Sequence, residues 1–181
     1  MKKIDTPLND CFVLQPRVFE DERGVFWETF NDRTFREVTG LIVDFVQDNQ
    51  SISRRGVVRG LHFQIGEMAQ AKLVRVIKGQ VLDIVVDIRR DSSTFGKSYS
   101  ILLDDVDHKQ LFVPRGFAHG FITLSEQSIF AYKCDNFYDK ESESGIIYND
   151  ATLGLDWHLE GEELIVSEKD LKLPTFEEVT G

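Results

Sequence analysis

The sequence predicts a mainly β chain, a sandwich or barrel of short strands with a few short helices. Two features predict it: runs of alternating or wholly apolar residues rich in Val, Ile and Phe, and the Gly, Asp and Asn residues that separate them. Many short strands at even spacing are the mark of a closed or double-layered β architecture.

Taken in order, the first strand-like run is Val25–Phe30. A helix follows at about Asp32–Thr39, where Phe35 and Val38 stand three apart and Gly40 supplies a C-terminal stop. Val43–Ser51 alternates again. The clearest segment is AKLVRVIKGQVLDIVVDIRR, in which Lys78-Gly79 interrupts two strands and offers a residue able to take positive φ, so a hairpin is expected there. In its second arm Leu82, Ile84, Val86 and Ile88 share one face, while Asp83, Val85 and Asp87 share the other. Lys72 has the parity of Val74 and Val76, which points its side chain inward at the mouth of a barrel. Further strands are expected at Tyr99–Leu103, Gln110–Val113, Gly120–Leu124 and Ile129–Cys134. From ESESGIIYND onward the alternation fades and the chain becomes acidic, with turns and a short helical piece before Pro174. This tail is expected to wrap the barrel, leaving residues 1–181 as one domain.

The formal charge of −10 opposes binding to nucleic acid or an anionic membrane, so an anionic ligand would need a local basic pocket. No run approaches the roughly 18 apolar residues of a membrane span, and MKKIDTPLNDCF lacks the apolar stretch of a secretory signal, so a cytoplasmic location is expected. Cys11 and Cys134 are far apart and outside any C-x-x-C motif; they are expected to be ordinary semi-buried thiols.

Chemistry-bearing side chains concentrate in FEDERGVFWETF, QDNQSISRRGVVRGLHFQ, VPRGFAHGF, FAYKCDNFYD and SEKDLKLP. Gly56 to Gln64 and Pro114 to His119 resemble the two signature motifs of the cupin superfamily, which implies facing strands of a cupin-type jelly roll, the double-stranded β-helix. Metal-binding cupins carry two histidines one residue apart in the first motif, whereas this chain reads His62-Phe63-Gln64. An amide is a poor ligand beside imidazole, so a metal-free acid–base site without cofactor is favoured over a metal-dependent cupin.

The strings RGVFWETF, QDNQSISRRGVVRGLHFQ, KLVRVIKGQVLDIVVDIRRDSSTFGK, FVPRGFAHGF and FAYKCDNFY, in this order, are similar over nearly the whole chain to the dTDP-4-dehydrorhamnose 3,5-epimerases. Ser93 stands where the family usually has proline, a turn position with no functional consequence expected. The resemblance implies proton transfer at C3 and C5 of dTDP-4-dehydro-6-deoxy-D-glucose, both acidified by the C4 ketone. Such a reaction needs a base, an acid on the opposite face and a partner for the enolate oxygen.

His62 suits the base, because imidazole titrates near neutrality; a hydrogen-bonded structural histidine is the alternative. Resemblance pairs Asp170 with it and makes Tyr132 the acid, whereas the residues alone leave Asp170 an exposed carboxylate and Tyr132 a core aromatic. Lys72 could stabilise the enolate, or stand at the rim in solvent. Arg59, and by resemblance Arg23 and Lys169, are candidate phosphate partners. Gln47, Asn49 and Ser51 alternate along one strand face, and Glu28, His119 and Glu143 join them by resemblance. Tyr138 occupies the position that stacks on thymine in the family. In the family the Phe19 to Glu28 segment crosses to a neighbouring subunit, so the resemblance implies a homodimer in which Phe19, Arg23, Phe26 and Glu28 complete the partner's site. A mono-epimerase, a 3,4-ketoisomerase and a non-catalytic sugar-binding cupin remain as alternatives.

Overall fold

A computed structural model describes residues 1–161 and 163–181 in full and Glu162 by its backbone. Among the described residues thirteen strands dominate: β1 Lys2–Asp5, β2 Phe12–Gln15, β3 Val18–Asp21, β4 Gly24–Trp27, β5 Gln47–Arg54, β6 Val58–Gln64 and β7 Lys72–Lys78, then β8 Gln80–Asp87, β9 Ser98–Asp104, β10 Gln110–Val113, β11 Phe117–Thr123, β12 Gln127–Cys134 and β13 Glu143–Gly145. Two helices, α1 Asp32–Thr39 and α2 Phe176–Thr180, accompany them. A six-stranded sheet runs β1-β2-β10-β7-β12-β5 and a five-stranded sheet runs β13-β6-β11-β8-β9. Inward residues of both pack between them, among them Val74 and Val76 from β7, Val81 and Val85 from β8, Phe117 and Phe121 from β11, and Phe130 from β12. This is the expected mainly β jelly roll.

The hairpin expected at Lys78-Gly79 is absent. β7 pairs with β10 and β12, whereas β8 pairs with β9 and β11 in the other sheet. Gly79 alone separates the two strands, one residue too few for the two-residue loop that folds a strand back beside its predecessor. The chain instead turns a corner from one sheet to the other, with Val76 and Val81 reaching the same core from opposite sides. Gly79 does take positive φ, +82°, and a β-carbon there would lie 2.2 Å from the Gln127 carbonyl oxygen.

The face pattern read for β8 holds. Val81 and Val85 face the inter-sheet core, while Leu82, Ile84 and Val86 lie in a second cluster beneath Ile146, Trp157 and Phe176. The tail therefore wraps the outer face of the five-stranded sheet. A 3-10 turn at Asp170–Lys172 provides the helical piece before Pro174; α2 beyond it was not expected and is closed by a Thr175/Glu178 capping box. α1 spans the expected residues, with Asn31 accepting from the Thr34 amide and Gly40 at φ 74°. β5 begins later than expected, because Val43 and Phe45 pack against the cluster around Phe35 instead of pairing. Cys11 and Cys134 are free and fully buried, and burial pushes their thiols up to about 12 and about 11.

β3 and β4 pair only with each other. Phe19, Val25 and Phe26 on this ribbon are exposed. Among the described residues, no helix is long and apolar enough to cross a membrane.

Candidate active site

A cavity of about 490 Å³ opens between the sheets, lined by Asn49, Ser51, Arg59, His62, Lys72, His119, Tyr132, Lys169 and Asp170 among others. Strand parity accounts for most of this gathering. Gln47, Asn49 and Ser51 on β5 lie opposite Cys134, Tyr132 and Phe130 on β12, and directly paired residues project to the same side of a sheet. Lys72 lies opposite Cys134 on the other flank of β12, so it reaches the interior as its parity with Val74 and Val76 predicts. On the facing sheet His62 of β6 lies opposite His119 of β11.

Asp170 is brought up by the tail. Its Oδ1 lies 2.7 Å from His62 Nε2, and the 3-10 turn that carries it is fastened by the Ser167 hydroxyl accepting from the Asp170 amide at 3.0 Å. Burial by itself raises the Asp170 carboxyl. The hydrogen bond and charge of His62, with the Gly60 amide and Ser167, outweigh it and hold the group below the usual carboxylate range. The His62 side chain is 30% exposed and that of Asp170 6%, so the imidazole faces the cavity while its carboxylate is sheltered behind it.

Tyr132 stands across the cavity, with Lys72 Nζ 5.9 Å from its ring centroid. Burial raises the phenol, Cys134 adds to this, and Arg59 opposes it. The neighbouring cation does act in the lowering direction but desolvation outweighs it, and the phenol keeps its proton at neutral pH. Burial lowers the Lys72 ammonium, against the opposing effects of Cys134, Asp83 and Glu143.

A rim of polar contacts joins the remaining candidates. Glu143 Oε2 accepts from Lys169 Nζ at 2.6 Å and from the Tyr138 hydroxyl at 2.8 Å. Gln47 donates to Asn49 at 3.1 Å and accepts from the Tyr138 amide at 3.0 Å. Arg59 Nε donates to Ser53 Oγ at 3.1 Å, which leaves its terminal nitrogens for an anion. Ser51 Oγ is buried without a hydrogen-bond partner, and the cavity it lines is where a ligand group could meet it.

Four candidates are not brought together with these. Phe19, Arg23 and Phe26 line a separate surface hollow on the β3–β4 ribbon, where Arg23 pairs with Asp21. Glu28 accepts from Asn31 at 3.0 Å. None of the four lines the cavity of its own chain.

Sequence reasoning missed Asp83. It is fully buried, and its carboxylate lies 2.9 and 3.1 Å from His119 Nε2. Burial raises this carboxyl, and His119 and Lys72 oppose the shift. The available signal was an acid in the middle of an apolar strand, on its inward face. Gln64, which replaces the second cupin histidine, accepts from the Asp139 amide at 3.0 Å and so braces the loop after β12. Among the described residues no group of three or more His, Cys, Asp or Glu is gathered as a metal ion would require.

The family model described as dTDP-4-dehydrorhamnose 3,5-epimerase matches residues 5–178. The chain belongs to this family. It is 50% identical to the dTDP-4-dehydrorhamnose 3,5-epimerase of Methanothermobacter thermautotrophicus over 92% of this chain and 90% of that one. Among solved structures, the dTDP-4-dehydrorhamnose 3,5-epimerase of Elizabethkingia anophelis superposes with a TM-score of 0.95 at 52% identity, covering 100% and 99% of the two chains. The dTDP-6-deoxy-D-glucose-3,5-epimerase of Legionella pneumophila, in complex with dTDP-4-keto-L-rhamnose, gives 0.93 at 42% identity over 97% and 93%. Epimerases of this family are isomerases, and the jelly-roll fold is the frame these relatives share with the chain.

Proposed function

We propose that the chain is a dTDP-4-dehydrorhamnose 3,5-epimerase, converting dTDP-4-dehydro-6-deoxy-D-glucose to dTDP-4-dehydro-L-rhamnose. The observation that carries the reading is a cavity in which a carboxylate-backed imidazole, His62 with Asp170 at 2.7 Å, faces a protonated phenol, Tyr132, with a desolvated ammonium, Lys72, beside it. His62 removes the proton from C5 or C3, both activated by the C4 ketone. Asp170 holds the imidazole in orientation and stabilises the imidazolium that forms. Lys72 meets the charge that develops on the C4 oxygen, where a cation in a dry site acts most strongly. Tyr132 returns a proton to the opposite face, which inverts the centre.

The nucleotide lies along the rim. Arg59 and Lys169 take the diphosphate, Gln47, Asn49, Ser51, His119 and Glu143 supply polar contacts, and the half-exposed ring of Tyr138 stacks on thymine. No metal or cofactor enters this chemistry. The exposed β3–β4 ribbon, bearing Phe19, Arg23 and Phe26 with Glu28 just beyond it, completes the nucleotide site of a partner subunit in a homodimer, because a ribbon that among the described residues pairs with no other strand and exposes Phe19, Val25 and Phe26 is suited to cover a neighbour. We read residues 1–181 as one catalytic domain acting in the cytoplasm, where nucleotide sugars are made and used.

Incubation with dTDP-4-dehydro-6-deoxy-D-glucose in deuterium oxide, followed by proton NMR, tests the reading. Loss of both the H3 and H5 signals with formation of the L-rhamno product is expected. Exchange at one carbon only would make the chain a mono-epimerase, and migration of the ketone would make it a 3,4-ketoisomerase.

A further inference from the structure

His119 carries a carboxylate of its own. Asp83 sits in the middle of β8 among Val81, Leu82, Ile84 and Val85, is wholly removed from solvent, and among the described residues has His119 Nε2 as its only side-chain partner, at 2.9 and 3.1 Å. A lone carboxylate in such a place is strongly disfavoured, so a pairing of this kind persists where it does something that an apolar residue could not. The other side of the ring is free. Among the described residues Ser51 Oγ is the one buried side-chain polar atom without a partner, and none of them bonds His119 Nδ1, so that nitrogen is reached from the cavity His119 lines. His119 also lies directly opposite His62 across the β6–β11 ladder. Two imidazoles, each tied by Nε2 to a carboxylate, thus stand side by side on one wall.

We propose that Asp83 is a positioning residue: it keeps the His119 proton on Nε2 and fixes the ring, so that Nδ1 is presented to the cavity as an acceptor for a hydroxyl of the sugar. The inference rests on the epimerase reading for the identity of the sugar. An imidazole whose Nε2–H is held by a carboxylate has its lone pair on Nδ1, and the tautomer is set by the partner. The 4-keto-6-deoxy sugar offers hydroxyl donors only at C2 and at C3, the latter beside the ketone, and an acceptor beside His62 would turn the ring so that the hydrogen on the reacting carbon faces the base. Phe130, whose ring centroid is 6.2 Å from that of His119 at 25°, backs the imidazole and limits its rotation.

Protein labelled with nitrogen-15 gives long-range proton–nitrogen correlations of the four histidine rings, with His119 assigned by its absence in His119→Gln. At neutral pH the parental His119 is expected to carry its proton on Nε2 and not on Nδ1; the reverse tautomer, or protons on both, overturns the proposal. Asp83→Asn keeps the shape but can turn its NH2 toward the ring. It should release the tautomer and lower kcat for deuterium exchange by at least about tenfold, the scale on which supporting carboxylates act. In a His119→Gln background the same substitution should change the rate less than about twofold, since Asp83 acts through His119. A full loss in that background means a role in packing and overturns the idea. If Asp83→Asn does not fold, the parental spectrum still decides. If the parental protein shows no exchange at all, the epimerase reading fails while the tautomer is still read.

Discussion

Replacing Asp170 by Asn removes one charge and leaves the shape of the His62 pair. In the proposed mechanism His62 takes a proton from the sugar and becomes an imidazolium, and the carboxylate 2.7 Å from its Nε2 places the two charge centres about 4 Å apart. At an effective dielectric of about 20 that attraction is about 4 kcal/mol, or about three decades of rate at 1.36 kcal/mol per decade. Asn retains a neutral hydrogen bond of about 1 kcal/mol, and the imidazole is 30% exposed, so solvent takes up part of the lost stabilisation. The expected fall is therefore about a hundredfold to a thousandfold, equal at C3 and C5 because one base serves both. The assay is the rate of deuterium incorporation at each carbon, with elution volume and melting temperature as controls. A folded variant that loses less than about tenfold at either carbon would refute the pairing as part of the base. Stability supplies a second readout with a definite sign. The Asp170 carboxyl is depressed in the folded protein below its usual 3.8. Its contribution is thus present above that value and is lost as pH falls through the folded pKa. Parental and Asp170→Asn melting curves should differ at pH 7 and converge as the pH drops below about 4.

Tyr132→Phe should leave proton abstraction largely intact and block delivery to the opposite face. Exchange should then outrun inversion by at least about tenfold, and an unchanged ratio in the NMR time course would remove Tyr132 from the mechanism. Activity should survive exhaustive chelation, because the proposed mechanism uses side chains alone and Gln64 is committed to the Asp139 amide; loss on chelation with recovery on one divalent ion would contradict this. Gly79→Ala should lower stability by about 2 kcal/mol or more, from a positive φ and a β-carbon 2.2 Å from the Gln127 carbonyl. A denaturant midpoint equal to the parental one would show that the corner between the sheets is not constrained as described.

Local properties of the chain were legible in the sequence, and non-local ones were not. The inward parity of Lys72 and the two faces of β8 follow from a period of two, which any stretch of strand carries in itself. Helix α1 announced its end through Gly40, since a left-handed residue after an amphipathic turn is a local demand. What no local pattern contains is which strand neighbours which. The Lys78-Gly79 break reads equally well as a hairpin or as a corner, and only the pairing of β7 with β10 and β12 decides it. Asp170 lies 108 residues from His62, and nothing in SEKDLKLP specifies that distance being closed; the pairing came from family resemblance, and the two side chains lie 2.7 Å apart.

Asp83 shows the opposite failure, a residue whose signal was local and went unused. Its parity with Val85 in the apolar middle of the strand put a carboxylate inside the barrel, and a buried carboxylate must have a partner. The cations or imidazoles able to meet it were few, because an inward-facing residue of β8 can reach only its cross-strand neighbours and the opposite sheet. His119 and Lys72, both expected near the cavity, were among them. The parity of the acid was therefore enough, on sequence grounds, to call for a buried partner, while the choice of His119 over Lys72 needed the pairing of β8 with β11. A buried acid on an inward strand face calls for a partner, and the partner tells the two cases apart: Asp87, on the same face of β8, is held by Arg89, Ser92 and Thr94 away from the cavity, whereas Asp83 meets an imidazole that lines it.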